Sequence, residues 1–218
     1  MKKIISLALC LVLSGFVLAG CSSNSEPFEE KTYTPDTAVS GIELNVEDRE
    51  IEVSLSPDEE VHIAYSENSK EYYEISVSDD QVLTMTSASN KEWTDYIGSK
   101  PAAEDRKISL QVPDALLETL TLSTTNENVT LPDLSVSISI SSTEGNITFG
   151  TLDVGSALTL SAKNGDISGA VAGSYDDFAI QSEIKKGESN LPDNKDSGEK
   201  ALTVSNNNGN IDIEFVSE

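Results

Sequence analysis

LTLSTTNENVTL (120–131), ISISSTEGNITF (138–149), LTLSAKNGDIS (158–168) and LTVSNNNGNIDI (202–213) are copies of one template: an apolar-x-apolar strand, a polar turn, then Ile or Val. A diverged copy, FAIQSEIKKGES, starts at Phe178. Strand starts at 120, 138, 158, 178 and 202 give a period of about 20 residues, the size of a β-solenoid coil. Each copy puts an apolar strand before and after its turn, so successive coils can stack like residue on like. Gly145, Gly165 and Gly209 are expected at φ > 0, where the lack of a Cβ costs least, and the Asn or Asp beside each can bond nearby backbone amides. Glu127 stands at the equivalent point of the first copy, which predicts a distorted turn or a shifted register there.

Outward from the repeats the pattern stays period two. Ile42, Leu44 and Val46 alternate with Glu43 and Asn45; Ile51, Val53 and Leu55 with Glu52 and Ser54; Val61, Ile63 and Tyr65 with His62 and Ala64. Such alternation marks half-buried strands, and nothing after residue 39 has helical periodicity. The fold class is all-β. Asn-Gly between strands also closes hairpins, so an antiparallel β-sandwich, barrel or meander is the alternative to a solenoid. Outward positions of the middle coils are small and neutral: Thr119, Thr121, Ser123, Ser137, Ser139, Ser141, Thr159 and Ser161. Charges gather at the two ends, Glu43, Glu50 and Glu52 against Asp212 and Glu214, where they would oppose edge-to-edge association.

The N-terminus reads differently. Lys2 and Lys3 precede an apolar run from Ile4 to Val17 that is too short to span a bilayer, for which about 20 residues are needed, so residues 1–20 read as an export signal. Leu18-Ala19-Gly20-Cys21 resembles the lipobox of bacterial lipoproteins. That resemblance implies cleavage between Gly20 and Cys21 and a lipid-modified Cys21 holding the protein to the membrane outside the cytoplasm; two or more acyl chains make such an anchor stable. Cys10 leaves with the signal, so the mature chain would have no thiol for a disulfide, catalysis or metal. Residues 21–38, rich in Ser, Glu, Thr and Pro, read as a flexible tether, and 39–218 as one folded domain.

Charge narrows the partners. Of 14 Lys and Arg two go with the signal, and the remaining 12 face 38 Asp and Glu, a balance of −26. Such a surface repels phosphate backbones and anionic headgroups, which excludes nucleic acid and favours cations or basic surfaces.

The strand pairs IELNVEDREIEVSLS and YYEISVSDDQVLTMTS, then ISLQVP, then the serial EGNI, NGDI and NGNI turns and the closing LTVSNNNGNIDIEF resemble the DUF4097 family of bacterial envelope proteins, over about residues 38 to 218. The resemblance implies a right-handed, single-stranded β-helix on the cell envelope, an adhesin-like role, and for some members a part in envelope-stress signalling. Fold likeness alone does not assign a function.

Chemistry is sparse in the residues themselves. His62 is the only histidine and falls on the outward side of a strand, so it offers no catalytic triad and, with no cysteine beside it, no zinc centre. Paired carboxylates can cleave glycosides, but acidic residues are too numerous here to single out a pair. No cofactor is expected. Calcium is the cation the composition suits best, since it takes carboxylate and amide oxygens; the loop Asp193-Asn194-Lys195-Asp196-Ser197-Gly198-Glu199 is superficially like a calcium loop, yet places Lys195 at a ligand position and reads better as a solvated insertion. Residues 89–106 break the strand pattern and hold Trp93 and Tyr96, the candidate binding pair. The expected function is a lipid-anchored, non-catalytic envelope module that presents an acidic surface to a protein or cell-wall partner. An accessory regulator of envelope-stress signalling is the alternative, and a polysaccharide-active enzyme a distant third.

Overall fold

The computed structural model describes residues 26–96, 100–113 and 117–217. Helical structure among them is confined to three short 3-10 turns, Trp93–Tyr96, Glu104–Arg106 and Tyr175–Asp177, and no helix there is long and apolar enough to cross a membrane. The N-terminal part is β1 (Glu29–Tyr33), β2 (Gly41–Asn45), β3 (Glu50–Leu55), β4 (His62–Glu67), β5 (Glu71–Val77), β6 (Val82–Ser89) and β7 (Lys107–Val112). The repeats follow as β8 (Thr119–Thr124) with β9 (Val129–Leu131), β10 (Ser137–Glu144) with β11 (Ile147–Leu152), and β12 (Ala157–Asn164) with β13 (Ile167–Ala172). After them come β14 (Phe178–Lys186), β15 (Asn194–Lys195), β16 (Lys200–Asn208) and β17 (Ile211–Val216).

The two strands of a repeat go to different sheets. First strands join a nine-stranded sheet, β15-β14-β16-β12-β10-β8-β2-β6-β5; second strands join an eight-stranded one, β1-β4-β7-β3-β9-β11-β13-β17. Neighbouring repeats pair in parallel and in register, which puts one apolar row down each sheet. Leu83, Ile42, Leu120, Ile138, Leu158, Leu202 and Ile180 form such a row in the first, and Ile108, Ile51, Val129, Ile147, Ile167 and Ile211 in the second. All of these side chains are buried in one core cluster that takes in both sheets. Each contributes roughly 1.5–3 kcal/mol of apolar burial, and no bridging thiol is needed to hold the rungs together.

The antiparallel alternative describes only part of the chain. β5 and β6 form a hairpin, β4 runs antiparallel to β1 and β7, and β15 runs antiparallel to β14. In the repeats the Asn-Gly turns carry the chain from one sheet to the other instead of folding it back.

Three expectations need correction. Rungs do not stack in chain order: β16 lies between β12 and β14, so the copy starting at Leu202 rests on the copy starting at Leu158, and the diverged Phe178 copy is pushed outside it. An outer rung has to match a neighbour on one side only, which is where a diverged copy fits, and β15 covers part of its open side. At the other end β2 lies between β6 and β8, and β3 between β7 and β9. Glu43, Glu50 and Glu52 are therefore interior rather than edge charges, and Glu52 forms an ion pair with Lys107 of the adjacent strand. Last, part of the expected tether is ordered. β1 pairs with β4 from Glu29↔Glu67 to Tyr33↔Ile63, Lys31 Nζ lies 2.6 Å from Glu67, and Tyr33 packs on the core.

Candidate functional site

The turns between the sheets are the most regular polar feature of the molecule. Gly145, Gly165, Gly209 and Gly187 have φ of 136°, 140°, 136° and 129°. A Cβ on any of them would come within 2.2 Å of a carbonyl oxygen in the next rung: of Glu127 for Gly145, Gly145 for Gly165, Gly165 for Gly209 and Gly209 for Gly187. The residue after each glycine bonds across rungs. The amide of Asn146 donates to Asn128 Oδ1, that of Asp166 to Asn146, that of Asn210 to Asp166 and that of Glu188 to Asn210, at 2.7–3.0 Å. Where Glu127 replaces glycine, φ is not positive, and the side chain pairs with Arg106 instead. Buried polar side chains satisfy turn carbonyls from inside: Thr124 donates to Arg49 O (2.6 Å), Ser142 to Glu127 O (3.3 Å) and Asn206 to Gly165 O (2.8 Å). This ladder ties each turn to the turn of the next rung.

Trp93 and Tyr96 begin and end one 3-10 turn. The turn is stapled: the Glu92 amide donates to Asp95 Oδ2 (2.8 Å) and Lys70 Nζ reaches the same oxygen at 3.1 Å, tying the turn to the β5 hairpin. The Glu92 amide and the Lys70 ammonium hold the Asp95 carboxyl below its usual value. Trp93 nonetheless stands 76% exposed. A large indole held out in water on a fixed turn is available to a partner at little ordering cost.

Below this turn sits the most buried charge among the described residues. Arg49, 3% exposed, donates to Tyr73 Oη (2.6 Å), Glu71 Oε2 (2.9 Å) and the carbonyls of Glu47 and Asp48, with Phe28 and Tyr73 rings near its guanidinium. Lys91 meets the other Glu71 oxygen at 2.7 Å. Burial pushes the Glu71 carboxyl up, but the hydrogen bonds from Lys91 and Arg49 outweigh it and hold it below its ordinary value. This knot fastens the N-terminal segment, through Phe28, to the first corner of the stack.

Sequence reading takes His62 as an outward residue that offers no zinc centre, and does not see the two carboxylates that the structure gathers around it where the chain enters β4. Asp58, Glu60 and His62 bring one ligand-type atom each within 4.8 Å of one another. His62 Nε2 is 2.8 Å from Asp58 Oδ1, which also accepts from Ser56 Oγ at 2.8 Å, while His62 Nδ1 is 2.8 Å from Thr34 Oγ1. The His62 and Ser56 hydrogen bonds bring Asp58 down to about 2. Strand alternation does not explain the grouping, because residues 57–60 form a bend with Glu59 at a φ of 63°, and it is this bend that turns Asp58 back onto His62.

In the 193–199 loop the Lys195 ammonium donates to the carbonyls of Phe178 (2.7 Å), Ser197 (2.5 Å) and Asp176 (3.4 Å). The chain's own cation thus takes the oxygens that a bound ion would want. A shallow groove on the eight-stranded sheet is lined by Gly150, Ser168, Ala170, Asp212 and Glu214. Its two carboxylates project from one strand, on one wall, whereas glycosidase carboxylates flank the scissile bond from two sides. Cys21 and the Gly20–Cys21 cleavage point lie outside the described residues.

The family model described as Toastrack DUF4097 matches residues 39–169. A crystal structure of a candidate cell adhesion protein from Clostridium sporogenes is similar in fold, with a TM-score of 0.55 and 12% identity, covering 87% of this chain and 100% of that one. A candidate adhesin from Bacteroides fragilis is similar at a TM-score of 0.35 and 11% identity, over 88% of this chain and 98% of that one. At 12% identity the likeness to the Clostridium sporogenes protein is one of fold. No curated protein matches the chain.

Proposed function

The chain belongs to the Toastrack DUF4097 family, and from that premise we propose that it is a lipid-anchored, non-catalytic module of the bacterial envelope that binds a protein or cell-wall partner. In this reading the parallel stack is a right-handed, single-stranded β-helix, and its service is rigidity: it holds a contact surface at a fixed place relative to the membrane. The observation that carries the binding role is Trp93, exposed yet fastened on the Asp95–Lys70 staple. The pairing of β1 with β4 supports a short anchor. From Cys21 to Glu29 is eight residues, at most about 28 Å of extended chain, so a lipidated Cys21 would keep the β1 edge close to the bilayer.

Two measurements test it. Labelled fatty acid should enter the wild-type protein and fail to enter Cys21→Ser; equal labelling would remove the anchor. Mature protein should co-sediment with purified envelope or cell-wall material, and Trp93→Ala should lower the retained fraction at least fivefold with an unchanged far-UV spectrum. Retention unaffected by Trp93→Ala would remove the tryptophan from the contact, and absence of retention by wild type would overturn the binding role.

A further inference from the structure

We propose that Asp58, Glu60 and His62 form a binding site for a borderline divalent cation of the zinc type. Two carboxylates and one imidazole are a donor set such ions accept, and water completes an open coordination shell. The three donor atoms already lie within 4.8 Å of one another. A tetrahedral ion with bonds of about 2.1 Å needs donors about 3.4 Å apart. His62 Nε2 and Asp58 Oδ1, 2.8 Å apart, would exchange their hydrogen bond for the ion and part by about 0.6 Å, and rotation about the exposed Asp58 and Glu60 side chains supplies the rest. One imidazole distinguishes this site from the many carboxylate clusters an acidic surface offers, because a hard cation such as calcium gains nothing from a nitrogen donor.

The second support comes from another element. Thr34, just beyond β1, holds His62 Nδ1 at 2.8 Å. A metal-ligating imidazole characteristically has its other nitrogen fixed by such an outer partner. A hydroxyl both donates and accepts, so it serves either tautomer. With Nε2–H donating to Asp58, Thr34 donates to Nδ1. With the ion on Nε2, the ring proton sits on Nδ1 and Thr34 accepts it. Binding to the neutral ring releases no proton; binding to the imidazolium releases one, so acid competes with the metal. The field of 38 acidic against 14 basic residues draws cations to the surface.

The single histidine makes the test specific. Zinc chloride titrated into the full-length mature protein at neutral pH should shift the His62 ring resonances in proton NMR, saturating at one equivalent per chain. Glu60→Gln, which leaves the Asp58 turn untouched, should weaken the apparent affinity at least tenfold, and calcium at the same concentration should leave the ring signals in place. Ring signals unmoved by excess zinc, an affinity unchanged in Glu60→Gln, or an equal shift with calcium would each overturn the site.

Discussion

A Cβ on Gly165 would press to 2.2 Å from the Gly145 carbonyl oxygen, at a φ of 140° that other residues rarely adopt. Gly165→Ala should therefore cost about 2 kcal/mol or more. Gly155→Ala is the control, because nothing lies within 4 Å of the added methyl and φ is not positive; it should change stability by less than about 0.5 kcal/mol. Urea midpoints of the two variants check both. A Gly165→Ala chain as stable as wild type would mean that the turn relaxes and that the ladder does not depend on close approach. These glycines were readable in sequence because turn chemistry is local: Gly followed by Asn or Asp signals its own backbone. What was not readable is the direction of the Asn and Asp bonds. Asn146 serves the amide of Asp166, twenty residues on, and that depends on which rung comes to lie next to it.

At the scale of the element, β1 is the instructive case. EEKTY has one aromatic and no apolar alternation, and composition placed it in a flexible tether. Its order comes from partners far along the chain: Glu67 for Lys31, the open edge of β4, and the Arg49 knot that Phe28 helps to cover. Long-range edge pairing leaves no local trace in a short polar segment. The knot also makes stability respond to pH. Glu71 has a folded value below its ordinary 4.5, so its contribution is complete above that value and is lost as pH falls through the lower folded one. Glu71→Gln should be less stable than wild type at pH 7, and the difference should shrink as pH falls below 4.5. Denaturant midpoints at pH 7 and at successively lower pH give the answer, and a constant difference would show that the carboxylate charge has no part in the knot.

Across the whole molecule, period and alternation showed an all-β chain whose repeats share one register, since an apolar-x-apolar template every twenty residues repeats the same burial pattern. The order of the rungs was hidden, because the template at Phe178 and the template at Leu202 fit a neighbour in the same way and only the long return through residues 187–199 decides which lies inside. Both ends of the repeat region show the same device in the nine-stranded sheet: β2 lies inside β6 near one end and β16 inside β14 near the other, and in the eight-stranded sheet β3 lies inside β7, while β17 forms the far edge. The stack is thus closed by contacts between distant segments. Pairwise cysteines test this order most directly. Ala157 faces Ala201, and Ala201 faces Ala179, so 157 and 179 are two strands apart, about 9.5 Å at ordinary sheet spacing and beyond disulfide reach. In a chain starting at Ser22, Ala157→Cys with Ala201→Cys should oxidise to an intramolecular disulfide, and Ala157→Cys with Ala179→Cys should stay reduced. Cross-linking of 157 to 179 in place of 157 to 201 would show a serial stack and contradict this account.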